Sequence, residues 1–246
     1  MSSIAVIIPA AGRSTRFQGT EKKTFVSLEG RPVWQRTAEL FWNRLDVARV
    51  YLVISPEDRE SFRSRYGHVL AFANADLVDG GAERFDSVAN ALAKVPEEID
   101  LVAVHDAVRP LTSPALLDAV FSTAAQEGAA ILAMPVPDTL KRVGAENRIG
   151  ETVPRAGLWA AQTPQVFRRE WLVEAYAKRA SLTGTITDDA QLVEAAGFPV
   201  RVVPGSPLNF KITTQEDLEL AEYILQSRLA KPASESTRPY DDDVKW

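Results

Sequence analysis

Residues 4–12 read IAVIIPAAG, and this stretch decides the fold class. Its first part, Ile4–Pro9, is a short apolar run that is rich in β-branched residues and ends at a proline. Such a run is typical of a strand buried on both faces of a parallel sheet. The small residues Ala10, Ala11 and Gly12 follow at once. The sequence therefore predicts a central strand that runs directly into a loop of small residues.

Strand-like and helix-like patterns alternate through most of the chain. Further short apolar runs predict strands at 50–54, 101–105, 129–135 and 200–203. Apolar residues at helical spacing predict helices at 33–44, 57–66, 84–94, 114–126, 169–180, 188–196 and 215–229. This alternation is typical of right-handed βαβ units. We therefore expect an α/β fold with a doubly wound, mostly parallel sheet.

Residues 138–160 break the alternation. They hold scattered charges, three glycines and two short alternating stretches, which predict a long β-hairpin projecting from the domain. An isolated two-stranded ribbon is only marginally stable in water, so we expect this arm to pack on a second copy of the chain. The alternative is an ordered loop that lies on its own domain. We assign one domain to residues 1–230 and expect a disordered tail at 231–246.

Composition excludes several kinds of site. The chain has 246 residues, with 28 Lys and Arg against 33 Asp and Glu, and a formal net charge of −5. This balance argues against a nucleic-acid partner. There is no cysteine and there are only two histidines, which excludes disulfides, thiol nucleophiles, iron–sulfur clusters and zinc ribbons. Any metal is therefore expected to be a hard, oxygen-bound cation.

The hydrophobic pattern is that of an ordinary globular protein. Hydrophobic residues make up 46% of the chain and charged residues 25%, which is incompatible with wholesale disorder. No apolar run approaches the roughly 20 residues that a membrane-spanning helix needs. The first twelve residues lack the features of a secretory signal. We therefore expect no membrane partner and a cytoplasmic location.

A basic loop follows the first strand. Arg13, Arg16, Lys22 and Lys23 place four cations close together in an acidic chain. The loop matches neither the Walker pattern nor the dinucleotide-binding glycine pattern. Backbone donors and mobile cations at the carboxyl end of a strand suit a polyphosphate during phosphoryl or nucleotidyl transfer. A solvated basic loop is the equally simple alternative.

Two further motifs carry charges that could serve chemistry. Asp106 closes the predicted strand at 101–105, where a carboxylate can hold Mg²⁺ against phosphate oxygens. Its alternative role is to cap the following turn and pair with Arg109. Lys211 lies between apolar neighbours, where an ammonium group is normally found only if an anion meets it. A surface lysine on an edge strand is the alternative there.

Taken together, the motifs resemble those of one family. They are PAAG at 9–12, DGG at 79–81 with Ser87, HDAVRP at 105–110, DT-x-K at 138–141, TPQ at 163–165, ITD at 186–188 and NFKIT at 209–213. In this order they closely resemble the 2-C-methyl-D-erythritol 4-phosphate cytidylyltransferases of the non-mevalonate isoprenoid pathway, over roughly residues 4–229. The resemblance implies a Mg²⁺-dependent homodimer with a Rossmann-like domain and a β-arm. It also implies a reaction of CTP with methylerythritol phosphate to give 4-diphosphocytidyl-2-C-methyl-D-erythritol and pyrophosphate.

The resemblance assigns roles to matching residues. Arg16 and Lys23 would stabilise the charge that grows on the triphosphate; whether Lys22 shares this role is left open. The residues expected to position the substrate are Arg155, Lys211, Thr139, Thr163 and Thr187. The residues expected to bind the nucleotide are Pro9, Ala10, Ala11, Gly12, Gly81, Ser87 and Asp106, and Asp106 would also bind the metal. Thr139 and Arg155 lie on the arm, so the family pattern implies that they reach the partner's site.

The chemistry fits the composition. A phosphate monoester is largely ionised at neutral pH, with a second pKa near ~6. The reaction therefore needs no general base and no covalent nucleophile, and alignment with electrostatic stabilisation is enough. Two alternatives stay open: a ribitol- or other polyol-phosphate cytidylyltransferase, and a non-catalytic nucleotide-binding paralogue.

Overall fold

The computed structural model describes residues 2–12, 22–182 and 185–230. Arg13, Arg16 and the tail at 231–246 lie outside the described residues. The strands are β1 (Ile4–Pro9), β2 (Ser27–Leu28), β3 (Arg31–Pro32), β4 (Val47–Ile54), β5 (Ala75–Asp79), β6 (Leu101–Val104), β7 (Ala129–Pro135), β8 (Leu140–Val143), β9 (Ile149–Val153), β10 (Trp159–Arg168) and β11 (Arg201–Pro204). The helices are α1 (Val33–Ala38), α2 (Arg59–Phe72), α3 (Arg84–Leu92), α4 (Pro114–Glu127), α5 (Arg169–Ala177), α6 (Asp189–Ala195) and α7 (Gln215–Ala230).

A seven-stranded sheet in the order β11-β7-β10-β6-β1-β4-β5 forms the centre. β1 pairs in parallel with β4 on one side and with β6 on the other. β4 pairs in parallel with β5, and β11 with β7. β10 runs antiparallel to both of its neighbours, β6 and β7. The prediction of an α/β fold with a mostly parallel sheet is therefore confirmed.

β1 is buried on both faces, as its composition predicts. Ile4, Val6 and Ile8 join one apolar cluster, in which side chains of α1, α2 and α4 cover the sheet. Ala5 and Ile7 point to the opposite face and join a second cluster with side chains of α3, α5 and α6. Helices on both faces explain why the strand can be apolar at every position rather than alternating.

The order of the strands reverses at β1. β4 and β5 extend the sheet to one side, whereas β6 and the later strands extend it to the other. In open α/β sheets, ligands bind beyond the carboxyl ends of the strands at such a switch point. The loops that follow β1 and β6 both leave the sheet there. The topology thus brings Ala10, Ala11 and Gly12 to the same edge as Asp106.

Two strands of this sheet have no counterpart in the sequence prediction. β5 is five residues long and holds two aspartates, Asp76 and Asp79, so no continuous apolar run marks it. β10 contains Pro164, which removes a ladder donor and normally argues against an interior strand. The structure accommodates it because the pairing of β10 with β7 shifts register between Ala161 and Gln165. The segment from Gln162 to Pro164 therefore leaves the regular ladder, and the peptide bond between Thr163 and Pro164 is cis.

The first helix is shorter than its pattern predicts. The apolar spacing over 33–44 predicts one helix, but α1 ends at Ala38 and turns follow up to Phe41 and beyond. Phe41 is fully buried all the same, and it packs edge-on against the His105 ring. The apolar periodicity therefore reports burial correctly but overestimates the length of regular helix.

The predicted hairpin at 138–160 contains paired strands. β8 and β9 form a separate two-stranded antiparallel sheet, with Leu140 opposite Val153. The cross-strand contacts are polar: Lys141 Nζ donates to Thr152 Oγ1 at 2.6 Å, and Arg142 pairs with Glu151. Nearly all residues of the hairpin are exposed. Its projection from the domain and its packing on a second copy stay predictions.

α7 anchors the segment that precedes it. Leu218 and Ala221 pack with Leu28, Val33 and Ile212 in a third apolar cluster. At the start of the helix, the Asp217 carboxylate accepts the backbone N–H groups of Thr213 and Thr214, at 2.7 and 2.9 Å. α7 is 16 residues long and contains charged residues in its first and last turns. No helix among the described residues is long and apolar enough to cross a membrane.

Gly128 gives a test of the packing. It ends α4 with a φ of +91°, and an added Cβ would lie 2.3 Å from the Trp171 ring. We expect Gly128→Ala to lower the free energy of unfolding by about 2–4 kcal/mol, through left-handed backbone strain and the ring clash. Chemical denaturation measures this loss.

Gly144 supplies the matched control. Its φ is −92° and an added Cβ would meet nothing within 4 Å. We expect Gly144→Ala to change stability by less than about 0.5 kcal/mol. Equal effects of the two substitutions would contradict the packing described for Trp171.

Candidate active site

The loops after β1 and β5 are packed closely together. Ala10 N donates to Val53 O at 2.7 Å, and Gly80 N donates to Ile54 O at 2.7 Å. A Cβ added to Gly80 would lie 2.7 Å from the Ala11 Cβ, which is closer than carbon atoms can approach. A Cβ added to Gly81 would lie 2.2 Å from the Asp86 Cβ. Gly80 is therefore needed for the loop after β5 to meet the loop after β1, and Gly81 for the loop after β5 to meet the start of α3.

Ser87 holds this glycine pair in place. Its Oγ accepts the Gly81 N–H at 3.1 Å and donates to Glu83 O at 3.2 Å, and its side chain is almost fully buried. The predicted nucleotide-binding residues Ala10, Ala11, Gly81 and Ser87 are thus brought together. Gly12 and Pro9 continue the same edge. Contact of these residues with a nucleotide stays a prediction.

Asp106 lies within reach of three cations. Its Oδ2 is 3.1 Å from Lys211 Nζ and 3.2 Å from Arg109 Nε, and its Oδ1 is 3.9 Å from Arg84 Nε. Burial alone would raise the pKa of Asp106, but Lys211, Arg84 and Arg109 hold it well below its usual range. The carboxylate is therefore ionised at neutral pH. The pairing with Arg109, which the sequence left as an alternative, exists together with the contact to Lys211.

His105 and Thr163 fix the backbone beside Asp106. Thr163 Oγ1 accepts the Asp106 N–H at 3.1 Å and lies 3.1 Å from His105 Nδ1. His105 Nε2 lies 3.1 Å from Arg109 O, so Nε2 carries the hydrogen and Nδ1 accepts from the threonine hydroxyl. Burial lowers the pKa of His105 to about 4, against smaller opposing effects of the Arg109 carbonyl and of Asp106. The imidazole is thus neutral and structural.

Asn209 is a site residue to which sequence reasoning gave no role of its own. Its Nδ2 donates to Thr163 O at 2.9 Å and to Gln162 Oε1 at 3.2 Å, and its Oδ1 accepts from Thr112 Oγ1 at 2.7 Å. Arg109 NH1 donates to the Asn209 carbonyl at 2.6 Å. The side chain is completely buried. It therefore ties together β10, the loop after β6 and the segment that carries Lys211.

A second network lies behind the site, and sequence reasoning gave its members no role either. Arg84 NH2 contacts Asp189 Oδ2 at 2.7 Å, and Tyr176 donates its hydroxyl to Asp189 Oδ1 at 2.5 Å. The backbone N–H of Asp189 donates to Gln165 Oε1 at 3.1 Å. Asp189 is fully buried. Arg84 thus joins this carboxylate to Asp106, a link that no local pattern indicates because its members are far apart in sequence.

Positive charges outnumber negative charges at the edge of the sheet around Asp106. Lys211, Arg109 and Arg84 face only two carboxylates, those of Asp106 and Asp189, among the described residues. The excess is positive although the whole chain is acidic. A locally positive edge attracts anionic ligands and raises their rate of encounter. This arrangement suits phosphate groups, as the sequence predicts.

The structure describes the last two cations of the basic loop, Lys22 and Lys23. Lys22 Nζ binds Asp58 and donates to Ser55 Oγ at 3.1 Å. Lys23 follows and is half-buried. Phe25 N donates to Lys22 O at 2.8 Å, which closes a turn over these residues. Arg16 lies outside the described part of the chain, and its role stays a prediction.

The remaining predicted residues are not brought to Asp106. Thr139 and Arg155 are exposed on the arm, and in the described part of the chain no side-chain hydrogen bond or ion pair joins either to Asp106. Thr187 is also exposed, and its Oγ1 lies 3.2 Å from Gln191 Oε1. Its neighbour Asp188 caps α6 by accepting the Gln191 N–H. Substrate contact by the three residues stays a prediction.

The donor set limits how a metal could bind. No cluster of three or more His, Asp or Glu residues that could hold a metal occurs within 2–12, 22–182 and 185–230. Asp106 therefore offers one ionised carboxylate rather than a cage. Mg²⁺ usually takes one or two carboxylates and completes its shell with water and substrate phosphates. An ionised carboxylate such as that of Asp106 fits this mode of binding, and its role as a metal ligand stays a prediction.

The chain is similar to proteins of one family over most of its length. The family model for 2-C-methyl-D-erythritol 4-phosphate cytidylyltransferase (IspD) matches residues 4–227. A Rhodopirellula baltica protein of that name is 43% identical over 235 residues, which cover 91% of this chain and 95% of the relative. A bifunctional IspD/IspF enzyme from Rhodospirillum rubrum is 45% identical over 227 residues, and the match covers 58% of that longer enzyme.

A solved structure is also similar. The 2-C-methyl-D-erythritol 4-phosphate cytidylyltransferase from Thermus thermophilus superimposes with a TM-score of 0.75 and 37% sequence identity. The match covers 92% of this chain and all of that one.

His105 gives a test of the site's internal hydrogen bonds. Because folding lowers its pKa from 6.5 to about 4, the unfolded chain binds more protons between those pH values. Stability is therefore expected to fall as the pH falls through this window, with about 2–3 kcal/mol attributable to His105. His105→Gln should be less stable than the unchanged protein at pH 7 and show a shallower loss towards pH 4.

Denaturation midpoints at several pH values measure this difference. His68, exposed on α2, supplies the control His68→Gln, because the chain has only these two histidines. A pH dependence that changes by the same amount in both variants would show that buried His105 is not its source.

Proposed function

The chain belongs to the 2-C-methyl-D-erythritol 4-phosphate cytidylyltransferase family, and from this membership we propose how its residues act. It is a nucleotidyltransferase that transfers the cytidylyl group of CTP to 2-C-methyl-D-erythritol 4-phosphate, in isoprenoid precursor synthesis. The products are 4-diphosphocytidyl-2-C-methyl-D-erythritol and pyrophosphate. In the proposed step, an oxygen of the acceptor phosphate forms a bond to the α-phosphorus of CTP. The bond from that phosphorus to the pyrophosphate oxygen breaks, and its electron pair leaves with pyrophosphate.

The positive edge around Asp106 carries the proposal. We infer that Lys211 binds the acceptor phosphate, because its ammonium is held 3.1 Å from a buried carboxylate while its side chain stays 37% exposed. Asp106 prevents the ammonium from folding away, and Arg109 and Arg84 hold Asp106. The acceptor is already an anion at neutral pH, so aligning it against the α-phosphorus is the main requirement.

The negative charge that develops on the leaving pyrophosphate needs cations other than Lys211. We propose Lys23 and Arg16 for this role, following the motif that they match. Cations that meet charge as it develops lower the barrier more than cations that only bind the ground state. The residues from Pro9 to Gly12, with Gly81, are proposed to accept the nucleotide, because only small residues permit the close approach described above. Thr163 and Thr187 are proposed to help position the acceptor.

We propose Mg²⁺ as the metal, with Asp106 as its protein ligand. When bound, the ion would offset charge on the phosphate oxygens and so favour in-line transfer. The chain's own contribution is an ionised carboxylate that three cations hold, on a backbone whose N–H group donates to Thr163 Oγ1.

We also propose a homodimer formed through the arm, in a cytoplasmic setting. Thr139 and Arg155 lie on an exposed hairpin, and a partner chain could bring them to a site that its own residues do not reach. The exposed apolar residues Ile149, Leu158 and Trp159 on or beside the arm support such an interface. Arg155 would then position the acceptor phosphate of the partner's site.

Substrate choice is tested by parallel assays. Pyrophosphate release is measured with CTP, Mg²⁺ and either methylerythritol phosphate or ribitol phosphate. We expect kcat/KM to be at least about tenfold higher with methylerythritol phosphate. The two acceptors differ in chain length, in a methyl branch and in one hydroxyl group, and a single methylene group already discriminates by ~10–200-fold. Faster turnover of ribitol phosphate would support the polyol-phosphate alternative, and no turnover of either would support a non-catalytic paralogue.

Sharing of sites between two chains is tested by mixed dimers. Lys23→Ala and Arg155→Ala chains, co-expressed with different tags, form heterodimers in which one site keeps both residues if Arg155 acts across the interface. Each parent should lose about 10²–10³ in rate at low methylerythritol phosphate, whereas the heterodimer should recover about half of the unchanged activity.

Lys211 supplies the matched control, because it contacts Asp106 of its own chain. Heterodimers of Lys23→Ala with Lys211→Ala should stay inactive, since no site then keeps both lysines. Recovery in this control, or none with Arg155→Ala, would contradict the shared site. A fully active monomer by light scattering would do the same.

A further inference from the structure

Lys22 lies next to Lys23, yet its ammonium group is already held by the protein. Its Nζ binds the Asp58 carboxylate and donates to Ser55 Oγ at 3.1 Å. Ser55 Oγ in turn donates to Asp58 Oδ2 at 2.6 Å, so that the three groups form a closed triangle. The side chains of Lys22 and Asp58 are only 29% and 23% exposed. We call this triangle the lysine clasp.

Asp58 binds Lys22 and does not cap α2. It is the residue immediately before α2, where an aspartate usually accepts a backbone N–H of the first turn. Its side chain makes no such cap hydrogen bond. Although burial opposes ionisation, the bonds from Lys22 and Ser55 hold the pKa of Asp58 below its usual range. The carboxylate is thus ionised and directed at Lys22 rather than at its own helix.

The clasp is the first of two anchors on one short segment. Three residues after Lys22, the Phe25 ring packs against Phe62 and Tyr66 of α2, with ring centroids 6.0 and 6.5 Å apart. Thr24 O accepts the Trp34 N–H at 3.0 Å. Lys23 lies between these anchors. Its backbone is therefore held against the start of α2 from both sides.

The clasp also lies at the edge where the site forms. Ser55 directly follows β4, and the preceding Ile54 O accepts the Gly80 N–H at 2.7 Å. Gly80 in turn packs on Ala11 and Ser87. Lys22 is thus connected, through two residues at the end of β4, to the loop that is proposed to accept the nucleotide.

We propose that Lys22 is a positioning residue, which fixes the backbone of Lys23 through the clasp and does not itself bind the triphosphate. This inference rests on the role proposed above for Lys23. If the clasp is lost, the lysine beside it is held by one anchor only, and its ammonium meets the developing charge less often. Contact with the bound substrates is unchanged, so that the loss falls on kcat rather than on KM.

A double-mutant cycle tests the proposal. Lys22→Met keeps the length of the side chain without its charge, and Asp58→Asn keeps the shape of the carboxylate. We expect each variant to lower kcat by about 5- to 20-fold, with KM for CTP changed less than about twofold, as fits a contact in one coupled network. The double variant should be no slower than the slower single variant, and Lys22→Arg should stay within about twofold of the unchanged enzyme.

Two controls separate positioning from other effects. Arg49→Met removes another cation–Asp pair, with Asp76, near the opposite end of β4, and should leave kcat unchanged. Calorimetric binding of CTP should be the same for Lys22→Met as for the unchanged enzyme. Thermal unfolding of each variant checks that the fold is retained.

Three outcomes would overturn the inference. The first is a raised KM for CTP in Lys22→Met while Asp58→Asn keeps the kcat and KM of the unchanged enzyme. The second is a double variant whose loss of kcat equals the product of the two single losses. The third is an unchanged kcat in both single variants. Lys23→Ala is run beside them. The proposed function fails instead if Lys23→Ala keeps full activity, or if the unchanged enzyme turns over neither methylerythritol phosphate nor ribitol phosphate. Failure of the proposed function is thus distinguished from failure of the inference about Lys22.

Discussion

The Asp106 carboxylate is the interaction on which the rest of the site depends. It lies just beyond β6, where burial alone would favour its neutral form, and three cations from distant parts of the chain keep it ionised. Arg84 comes from the start of α3, Arg109 from the loop after β6 and Lys211 from the segment before α7. Removing one partner of such a buried group costs more than the pair contributes, because the other charges are left unmatched. The carboxylate therefore holds three segments of the chain in one arrangement as well as contributing its own charge.

Most of the fold could be predicted from apolar periodicity, because burial on two faces leaves a continuous apolar run. β1, β4, β6 and β7 are all of this kind, and the structure confirms them. β5 and β10 could not be found in that way. β5 has aspartates at two of its five positions, as suits a strand at the edge of the sheet. β10 contains a proline, and only its shift of register against β7 lets the strand continue past it.

The site was predictable where one local motif supplies the chemistry. Asp106, Lys211 and the glycines after β5 each stand in a recognisable local setting, and the structure brings them to one edge. Asn209, Asp189 and the clasp residue Asp58 could not be assigned, because their function consists of contacts with residues that are remote in sequence. A buried asparagine in a loop looks like any turn residue until its three hydrogen bonds are known. Local chemistry can therefore be predicted from single motifs, whereas the scaffold that aligns it requires the tertiary structure.

The reversed direction of β10 has a consequence for how the molecule can diversify. The arm leaves the sheet after β7 and returns at β10, and the two strands are neighbours whose ends pair at Pro135 and Trp159. Val136 N donates to Leu158 O at 3.1 Å, which closes the base of the arm. An insertion with joined ends can lengthen, shorten or change its sequence without moving the strands beneath it, since the entropic cost grows only slowly with length. The length of this hairpin can therefore change in evolution while β7 and β10 keep their pairing.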